Sequence, residues 1–255
     1  MGVLIAQPIW WRGALLALII NHLLLAAVGL WPRSNWLGVN LTRLPATPAT
    51  HNAVAITIDD GPDPQITPQV LEILAKHKAQ ASFFCIGRKL HDQPALARSI
   101  VAAGHAIENH SEHHRHNFSL LGPAAMEREV AQAQASISSL SGRRPFFFRA
   151  PAGLRNPFLD RVLHRQGLRL ASWTRRGFDT RERNAQKVLA RLLDGLRAGD
   201  ILLLHDGNAA RDGSGRAIIL EVLPQLLKEI EARGLRTIRL DQALDADGSL
   251  VAQSR

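Results

Sequence analysis

The chain has 255 residues, of which 46% are hydrophobic and 21% are charged, and these are ordinary proportions for a globular protein. A single cysteine, Cys85, excludes an intramolecular disulfide and argues against a cysteine-based zinc site. The formal net charge of +9 is spread along the chain without a basic run interleaved with aromatic residues, so we expect no nucleic-acid partner.

The N-terminus carries an apolar run over residues 13–31, GALLALIINHLLLAAVGLW, which is about the length that spans a bilayer as a helix. Tryptophans flank the run, as interfacial anchors do, whereas Asn21 and His22 in its middle are costly in lipid. We predict that residues 1–31 form an uncleaved membrane anchor, with a cleaved signal segment as the alternative. The protein is then membrane-associated, at the inner membrane if the source is bacterial, and the arginines on both sides leave its orientation open.

Residues 32–52 are rich in Pro, Asn and Thr and are predicted to form a linker to a domain over residues 53–255. In this domain, short apolar strands alternate with amphipathic helices. Strands are predicted at residues 53–58, 81–86, 106–109, 145–149, 169–173, 200–204 and 236–240. Helices are predicted to begin near Thr67, Pro94, Pro123, Asn156, Asn184 and Arg216.

This alternation predicts an α/β fold with a parallel sheet, because each parallel connection needs a crossover. An open doubly wound sheet and a closed barrel both satisfy it. Polar residues follow many different strands, which is typical of a barrel active site. An open sheet would concentrate them at one switch point. We therefore predict a (β/α) barrel preceded by one N-terminal hydrophobic helix.

The first predicted strand runs into the sequence T-I-D-D-G-P. Adjacent side chains on a strand point to opposite faces, but the strand ends here and Gly61-Pro62 permits a sharp turn. Asp59 and Asp60 can then face one site, where a metal would hold one carboxylate charged and leave the other free as a base. A plain surface turn is the alternative.

His110 and His114 are four residues apart in the sequence H-S-E-H-H, so one helical turn would present both imidazoles on one face. Two histidines and one aspartate suit zinc or a related divalent ion with positions left open for water. A polar, histidine-rich loop without metal is the alternative.

Two further polar residues lie at the ends of apolar strands. Arg149 follows the apolar residues 146–148 and can pair with a carboxylate in bidentate fashion. His205 ends the run L-L-L-H, where a histidine in the core or at the rim is the alternative to a catalyst.

Together, the ordered motifs Asp-Asp-Gly-Pro, His-Ser-x-x-His, Arg-x-Pro-x-Gly, Trp-to-Asp and Leu-x-His resemble the polysaccharide deacetylase family, carbohydrate esterase family four, over residues 53–240. The resemblance implies a distorted seven-stranded (β/α) barrel and dependence on one divalent metal ion. Zinc is the first candidate, with cobalt or another transition metal as alternatives. The implied metal ligands are Asp60, His110 and His114.

The resemblance also implies catalytic roles. Asp59 matches the general base and Arg149 the residue that orients it, while His205 matches the general acid and Asp179 the carboxylate that tunes it. The residues matched to the oxyanion site and the substrate pocket are Ala152, Leu203 and Trp173, with Ala152 acting through its backbone N–H.

This chain departs from the family pattern at three positions of the substrate groove. It has no tyrosine and carries Ala152 where the family commonly has Tyr. Arg176 stands where an Asp is often found, and Thr180 where a Trp is often found. These changes put a long polysaccharide substrate in doubt, although the core chemistry is unaffected.

The predicted function is metal-dependent hydrolysis of an N-acyl group, acetyl or formyl, from an amino sugar in a glycan or a lipid-linked saccharide. A catalytically inactive, glycan-binding relative is the alternative. A serine nucleophile is disfavoured because the chain has no G-x-S-x-G sequence. The expected partners are the N-acylated amino sugar, possibly lipid-linked, and a membrane contacted through residues 13–31.

Overall fold

The computed structural model describes residues 8–244, so residues 245–255 of the predicted domain lie outside the described part. The helices are α1 (Pro8–Gly29), α2 (Thr67–Lys76), α3 (Gly87–Asp92), α4 (Pro94–Ala102), α5 (Pro123–Ser141), α6 (Leu159–Arg165), α7 (Ala185–Leu193) and α8 (Ile219–Ala232). The strands are β1 (Asn40–Leu41), β2 (Ala53–Asp59), β3 (Ala81–Cys85), β4 (Ala106–Asn109), β5 (Phe147–Phe148), β6 (Arg169–Ala171), β7 (Arg175–Arg176), β8 (Ile201–His205) and β9 (Arg236–Ile238).

The strands form one parallel sheet in the order β1-β6-β5-β4-β3-β2-β8-β7, with β9 also paired to β2. Residues 172–174, which connect β6 to β7, join the two ends of this order. The N–H of Ser172 donates to Leu41 O on β1 at 2.9 Å, and that of Thr174 donates to Ile201 O on β8 at 2.8 Å. So short a connection requires the sheet to curl on itself. The curled sheet with its helices confirms the predicted (β/α) barrel architecture.

The alternation of side chains along β2 separates the interior of the barrel from its helical layer. Ala53 and Ala55 belong to the interior cluster, whereas Val54 and Ile56 pack in the cluster that faces the helices. Asp59 shares the inward face by this period of two. The strand therefore delivers its last carboxylate to the interior end of the barrel.

The predicted linker over residues 32–52 is wrong at residues 40–44. Asn40 and Leu41 form β1 and pair with Leu170 and Ala171 of β6. Leu41 and Leu44 are buried in the interior cluster. Burial of these two leucines holds the segment on the sheet, so it is part of the barrel and not a connection to it.

The apolar N-terminal helix is present as α1. Its portion Trp10–Gly29 has a mean hydropathy of 1.7 and is long and apolar enough to cross a membrane. Only 6% of this apolar stretch is buried against the rest of the protein. The helix ends two residues before Trp31, the end of the predicted run. At that end the N–H of Arg155 donates to Gly29 O at 3.2 Å, so the helix terminus contacts the barrel.

Candidate active site

A polar cleft of about 220 Å³ opens at the carboxyl ends of the strands. All of the predicted site residues line it except Arg149 and Asp179, which lie buried behind it. The lining residues are Asp59, Asp60, His110, His114, His116, Ala152, Gly153, Trp173, Arg176, Thr180, Arg181, Leu203, His205 and Asn208. The barrel therefore brings together residues that are far apart in sequence.

The turn after β2 places two consecutive carboxylates in this cleft. Asp59 is the last residue of the strand, and Asp60 adopts a left-handed backbone with φ of +71°. This reversal of the backbone turns the carboxylate of Asp60 to the same side as that of Asp59, as the sequence predicted. The remaining oxygen of Asp60, Oδ2, accepts a hydrogen bond from Asn208 Nδ2 at 2.9 Å.

Asp60, His110 and His114 present ligand atoms that all lie within 4.8 Å of one another. Asp60 Oδ1 is 3.1 Å from His110 Nε2 and 3.0 Å from His114 Nε2. Burial would raise the pKa of Asp60, but the hydrogen bonds of His110 and His114 and the charges of His110 and His205 outweigh it, so the pKa is lowered. The carboxylate is therefore held ionised, as a metal ligand must be.

The donor set fits a divalent cation. His110 Nδ1 is 2.8 Å from the carbonyl oxygen of Arg149 and must carry a proton there, because a carbonyl can only accept. In a neutral His110, Nε2 then holds a lone pair that faces an oxygen of the ionised Asp60. A cation between these atoms removes the repulsion. A backbone carbonyl that fixes the tautomer of a histidine ligand is a usual support of metal sites.

The prediction that His110 and His114 lie on one helical turn is wrong. Residues 110–114 form a loop in which Ser111 has φ of +64° and His114 has φ of +48°. The N–H of His114 donates to Ser111 Oγ at 3.0 Å, which folds the loop back on itself. The two imidazole rings still converge, with centroids 4.7 Å apart.

Arg149 holds Asp59 from behind the cleft and is only 1% exposed. Its Nη1 donates to Asp59 Oδ1 at 2.6 Å and to Thr57 Oγ1 at 2.8 Å. Its Nε and Nη2 donate to the carbonyls of Ala171 and Ser172, at 3.1 and 2.7 Å. Burial lowers the pKa of this guanidinium, and the charge of Asp59 opposes that shift. The second oxygen of Asp59, Oδ2, lies 3.8 Å from His110 Nε2 and has no hydrogen-bond partner within residues 8–244.

His205 stands opposite Asp59, since the two residues are register partners on the adjacent strands β2 and β8. Its Nδ1 lies 2.9 Å from Asp179 Oδ1, and its backbone N–H donates to Asp179 Oδ2 at 2.7 Å. Burial lowers the pKa of His205, but the charge and hydrogen bond of Asp179, with the charges of Asp59 and Asp60, raise it to about 9. The imidazole is therefore protonated at neutral pH.

The remaining predicted residues form the wall of the cleft. Leu203 lies two residues before His205 on β8 and therefore shares its face. Ala152 has a left-handed backbone with φ of +55°, in a short 3₁₀ turn that follows β5. Trp173 packs under the guanidinium of Arg176, at 5.3 Å from Cζ to the ring centroid.

Four further residues of the site were not predicted: Thr57, His116, Asn208 and Arg181. His116 is two residues after the predicted ligand His114 in the same loop. Thr57 lies two residues before Asp59 on β2, so the period of two would have placed it beside Arg149. Asn208 follows His205 in a loop, and Arg181 follows Asp179. Neither loop has a periodic pattern that places its side chains, so the sequence held no signal for these two.

Comparison with known proteins identifies the family. The profile described as polysaccharide deacetylase matches residues 46–171. A chitooligosaccharide deacetylase of Azorhizobium caulinodans is 35% identical over 190 residues, which cover 72% of this chain and 90% of that protein. The chain belongs to the polysaccharide deacetylase family.

Other members of the polysaccharide deacetylase family show how widely this fold is used. A peptidoglycan-N-acetylglucosamine deacetylase of Bacillus cereus is 30% identical over 199 residues, covering 77% of this chain and 90% of that protein. The solved structure of a wild-type CE4-family pseudoenzyme from Bacillus anthracis superposes with a TM-score of 0.70 at 22% identity, covering 80% of this chain and 69% of that one. At this identity the likeness shows the fold alone.

Proposed function

We propose that the protein is a divalent-metal-dependent hydrolase that removes an N-acyl group from an amino sugar. One observation carries this proposal. Asp59 and His205 face each other across adjacent strands, each held by a buried partner, beside the donor set Asp60, His110 and His114. A carboxylate and an imidazole that are each held in place beside a metal donor set suit the roles of general base and general acid.

The residues divide the hydrolysis between them. Asp60, His110 and His114 would hold the metal, which would supply Lewis-acid polarisation of the amide carbonyl and a lowered pKa of water. Asp59, oriented by Arg149, accepts a proton from the attacking water. The proton on His205 passes to the nitrogen as the carbon–nitrogen bond breaks, which releases a free amine and a small carboxylic acid. The backbone N–H of Ala152 is proposed to donate to the developing oxyanion.

Acetyl is the acyl group that the named activities of the relatives favour, and formyl is the second candidate. Leu203 and Trp173 give the cleft an apolar patch that suits a small acyl group. Zinc suits the mixed nitrogen and oxygen ligands, with cobalt as a second candidate. We further propose that α1 anchors the protein in a membrane, as its length and apolar exposed surface support.

The test is release of acetate from N-acetylglucosamine oligomers by the full chain in detergent, with added zinc or cobalt and with chelator. Asp59→Asn is expected to lower kcat by about a hundredfold or more, because it removes a general base. Asp92→Asn, an exposed carboxylate on α3, is the matched control and is expected to retain activity. If the protein binds metal and glycan but releases no acid from acetylated or formylated substrates, it is an inactive glycan-binding relative.

A further inference from the structure

A second groove, of about 450 Å³, adjoins the proposed active site. It shares Trp173 and Arg176 with the cleft, so the two lie side by side at these side chains. Its charged lining residues are all arginines: Arg33, Arg175, Arg176 and Arg191. This arginine groove is therefore an electropositive extension of the cleft.

Two of the four arginines are neutralised by carboxylates. Arg175 Nε is 2.5 Å from Asp200 Oδ2, and Arg191 Nη2 is 3.3 Å from Glu182 Oε2. Arg33 and Arg176 differ, since within residues 8–244 no carboxylate lies within 4.0 Å of either. The net positive charge of the groove is thus carried by these two.

Arg176 is already positioned to receive an anion. Its guanidinium Cζ lies 5.3 Å from the Trp173 ring and 5.1 Å from the Phe178 ring, so two aromatic faces fix the plane of the fork. Its Nε is buried and has no hydrogen-bond partner in the described part of the chain. Arg176 as a whole is half-buried, and its two terminal nitrogens donate to no acceptor within residues 8–244, so they can bind a ligand oxygen.

The arginine groove also lies where the apolar helix meets the barrel. Trp31, Pro32 and Arg33 line it, within four residues of the end of α1 at Gly29. Ser172 Oγ donates to Pro32 O at 2.7 Å, which fixes this segment to the rim of the cleft. With α1 in a bilayer, residues so close to its end lie at the level of the headgroups.

We infer that the arginine groove binds a phosphate that joins the substrate's acylamino sugar to a lipid, so that the substrate is a membrane-embedded glycosyl phosphate. The inference rests on the proposed function and narrows its substrate class. Guanidinium groups bind phosphate through charge-assisted, bidentate hydrogen bonds. The sugar then reaches the cleft past Arg176, and the lipid leaves along Trp31 toward the bilayer. A neutral glycan would leave both free arginines without a counter-charge.

The test compares two substrates in phosphatidylcholine vesicles with the zinc-loaded full chain. One is a phosphodiester of N-acetylglucosamine with a long-chain alcohol, and the other is the neutral glycoside of the same alcohol. We expect kcat/KM to favour the phosphodiester by about tenfold or more, the size of effect that charged hydrogen bonds give. Arg176→Gln and the exposed Arg33→Gln are each expected to reduce this ratio several-fold. Arg98→Gln, which removes the same charge from the exposed side of α4, is expected to keep it.

A ratio near one for the parent protein, or a ratio unchanged in both groove variants, overturns the inference. The inference is also overturned if added phosphatidylglycerol makes the neutral glycoside the better substrate. The groove would then bind the phosphate of a lipid headgroup and not that of the substrate. If neither substrate is hydrolysed, the proposed function fails. Phosphate binding by the arginine groove is then tested separately, by calorimetry with N-acetylglucosamine 1-phosphate. Binding weakened by Arg176→Gln but not by Arg98→Gln supports it, and no binding refutes it.

Discussion

Replacement of Asp179 by Asn tests the acid side of the proposed mechanism. The carboxylate of Asp179 receives hydrogen bonds from both the ring and the backbone N–H of His205. Asparagine has nearly the same shape, and its amide oxygen can still accept from His205 Nδ1. The substitution therefore removes the charge that keeps the imidazole protonated while it retains a partner for the ring.

The expected size follows from the pKa of His205. Burial lowers this pKa, and Asp179 is the main group that raises it to about 9. At pH 8, a histidine with this pKa is roughly nine-tenths protonated, whereas one at the ordinary value near 6.5 is about 3% protonated. The loss at pH 8 is then about thirtyfold. It is larger if burial, no longer opposed by Asp179, takes the pKa below the ordinary value.

The assay is kcat/KM for acetate release between pH 5 and pH 10, with the metal supplied in excess. The parent enzyme is expected to lose activity as the pH rises through about 9, and Asp179→Asn to lose it well below pH 8. Folding shows the same linkage. The pKa of His205 is higher in the folded protein than its unfolded value of about 6.5. Protonated His205 therefore stabilises the fold fully below pH 6.5, and this stabilisation is lost as the pH rises through about 9. An alkaline limb at the same pH in both proteins would refute the assignment of His205 as the acid.

Three further predictions follow from the same geometry. Arg149→Lys keeps the charge but loses the fork that contacts Asp59, Thr57 and two carbonyls. We therefore expect the free energy of unfolding, measured in urea, to fall by about 3 kcal/mol and kcat to decrease. Unchanged values for both would contradict this role of Arg149. Removal of metal with a chelator is expected to abolish activity and lower the melting temperature by calorimetry, with both restored by zinc, because the cation binds only the folded site. Ala152→Gly is expected to raise the free energy of unfolding by up to about 1 kcal/mol, because φ of +55° is strained for alanine. Activity should be retained, because only the backbone N–H of this residue is used. A loss of stability would show that the methyl group of Ala152 makes stabilising contacts.

Much of the fold could be predicted because its signals are periodic. All seven predicted strands are present, since each is a short apolar run between helices of period 3.6. The two unpredicted strands, β1 and β7, have two residues each and are too short to show a period. Leu41 and Leu44 are buried by tertiary contacts that a local pattern does not record.

The residues of the site could be predicted from their motifs, but the backbone conformations of the loops that carry them could not. Asp60, Ser111, His114, Ala152 and Phe178 all have positive φ, although none is glycine. Local propensity argues against this conformation at each of them. Tertiary contacts such as the hydrogen bond from His110 Nδ1 to Arg149 O hold the loop over residues 110–114 in place. Backbone strain of this kind is common at functional sites, where the required position of a side chain outweighs the cost of an unfavourable backbone conformation.

The segment between α1 and the barrel fixes the position of the cleft relative to the end of the helix. Asn40, on β1, donates through Nδ2 to Pro32 O at 2.9 Å and to Ser34 O at 3.2 Å, so the turn after the helix is tied to the sheet. Pro32 O also accepts from Ser172, next to Trp173 of the cleft. A flexible linker would let the domain sample soluble glycans at a distance, whereas this connection holds the cleft beside the end of the helix. If α1 anchors the protein as proposed, the cleft lies where it can act on a sugar presented at the bilayer surface, and the proposed glycosyl phosphate on a lipid would place its sugar there.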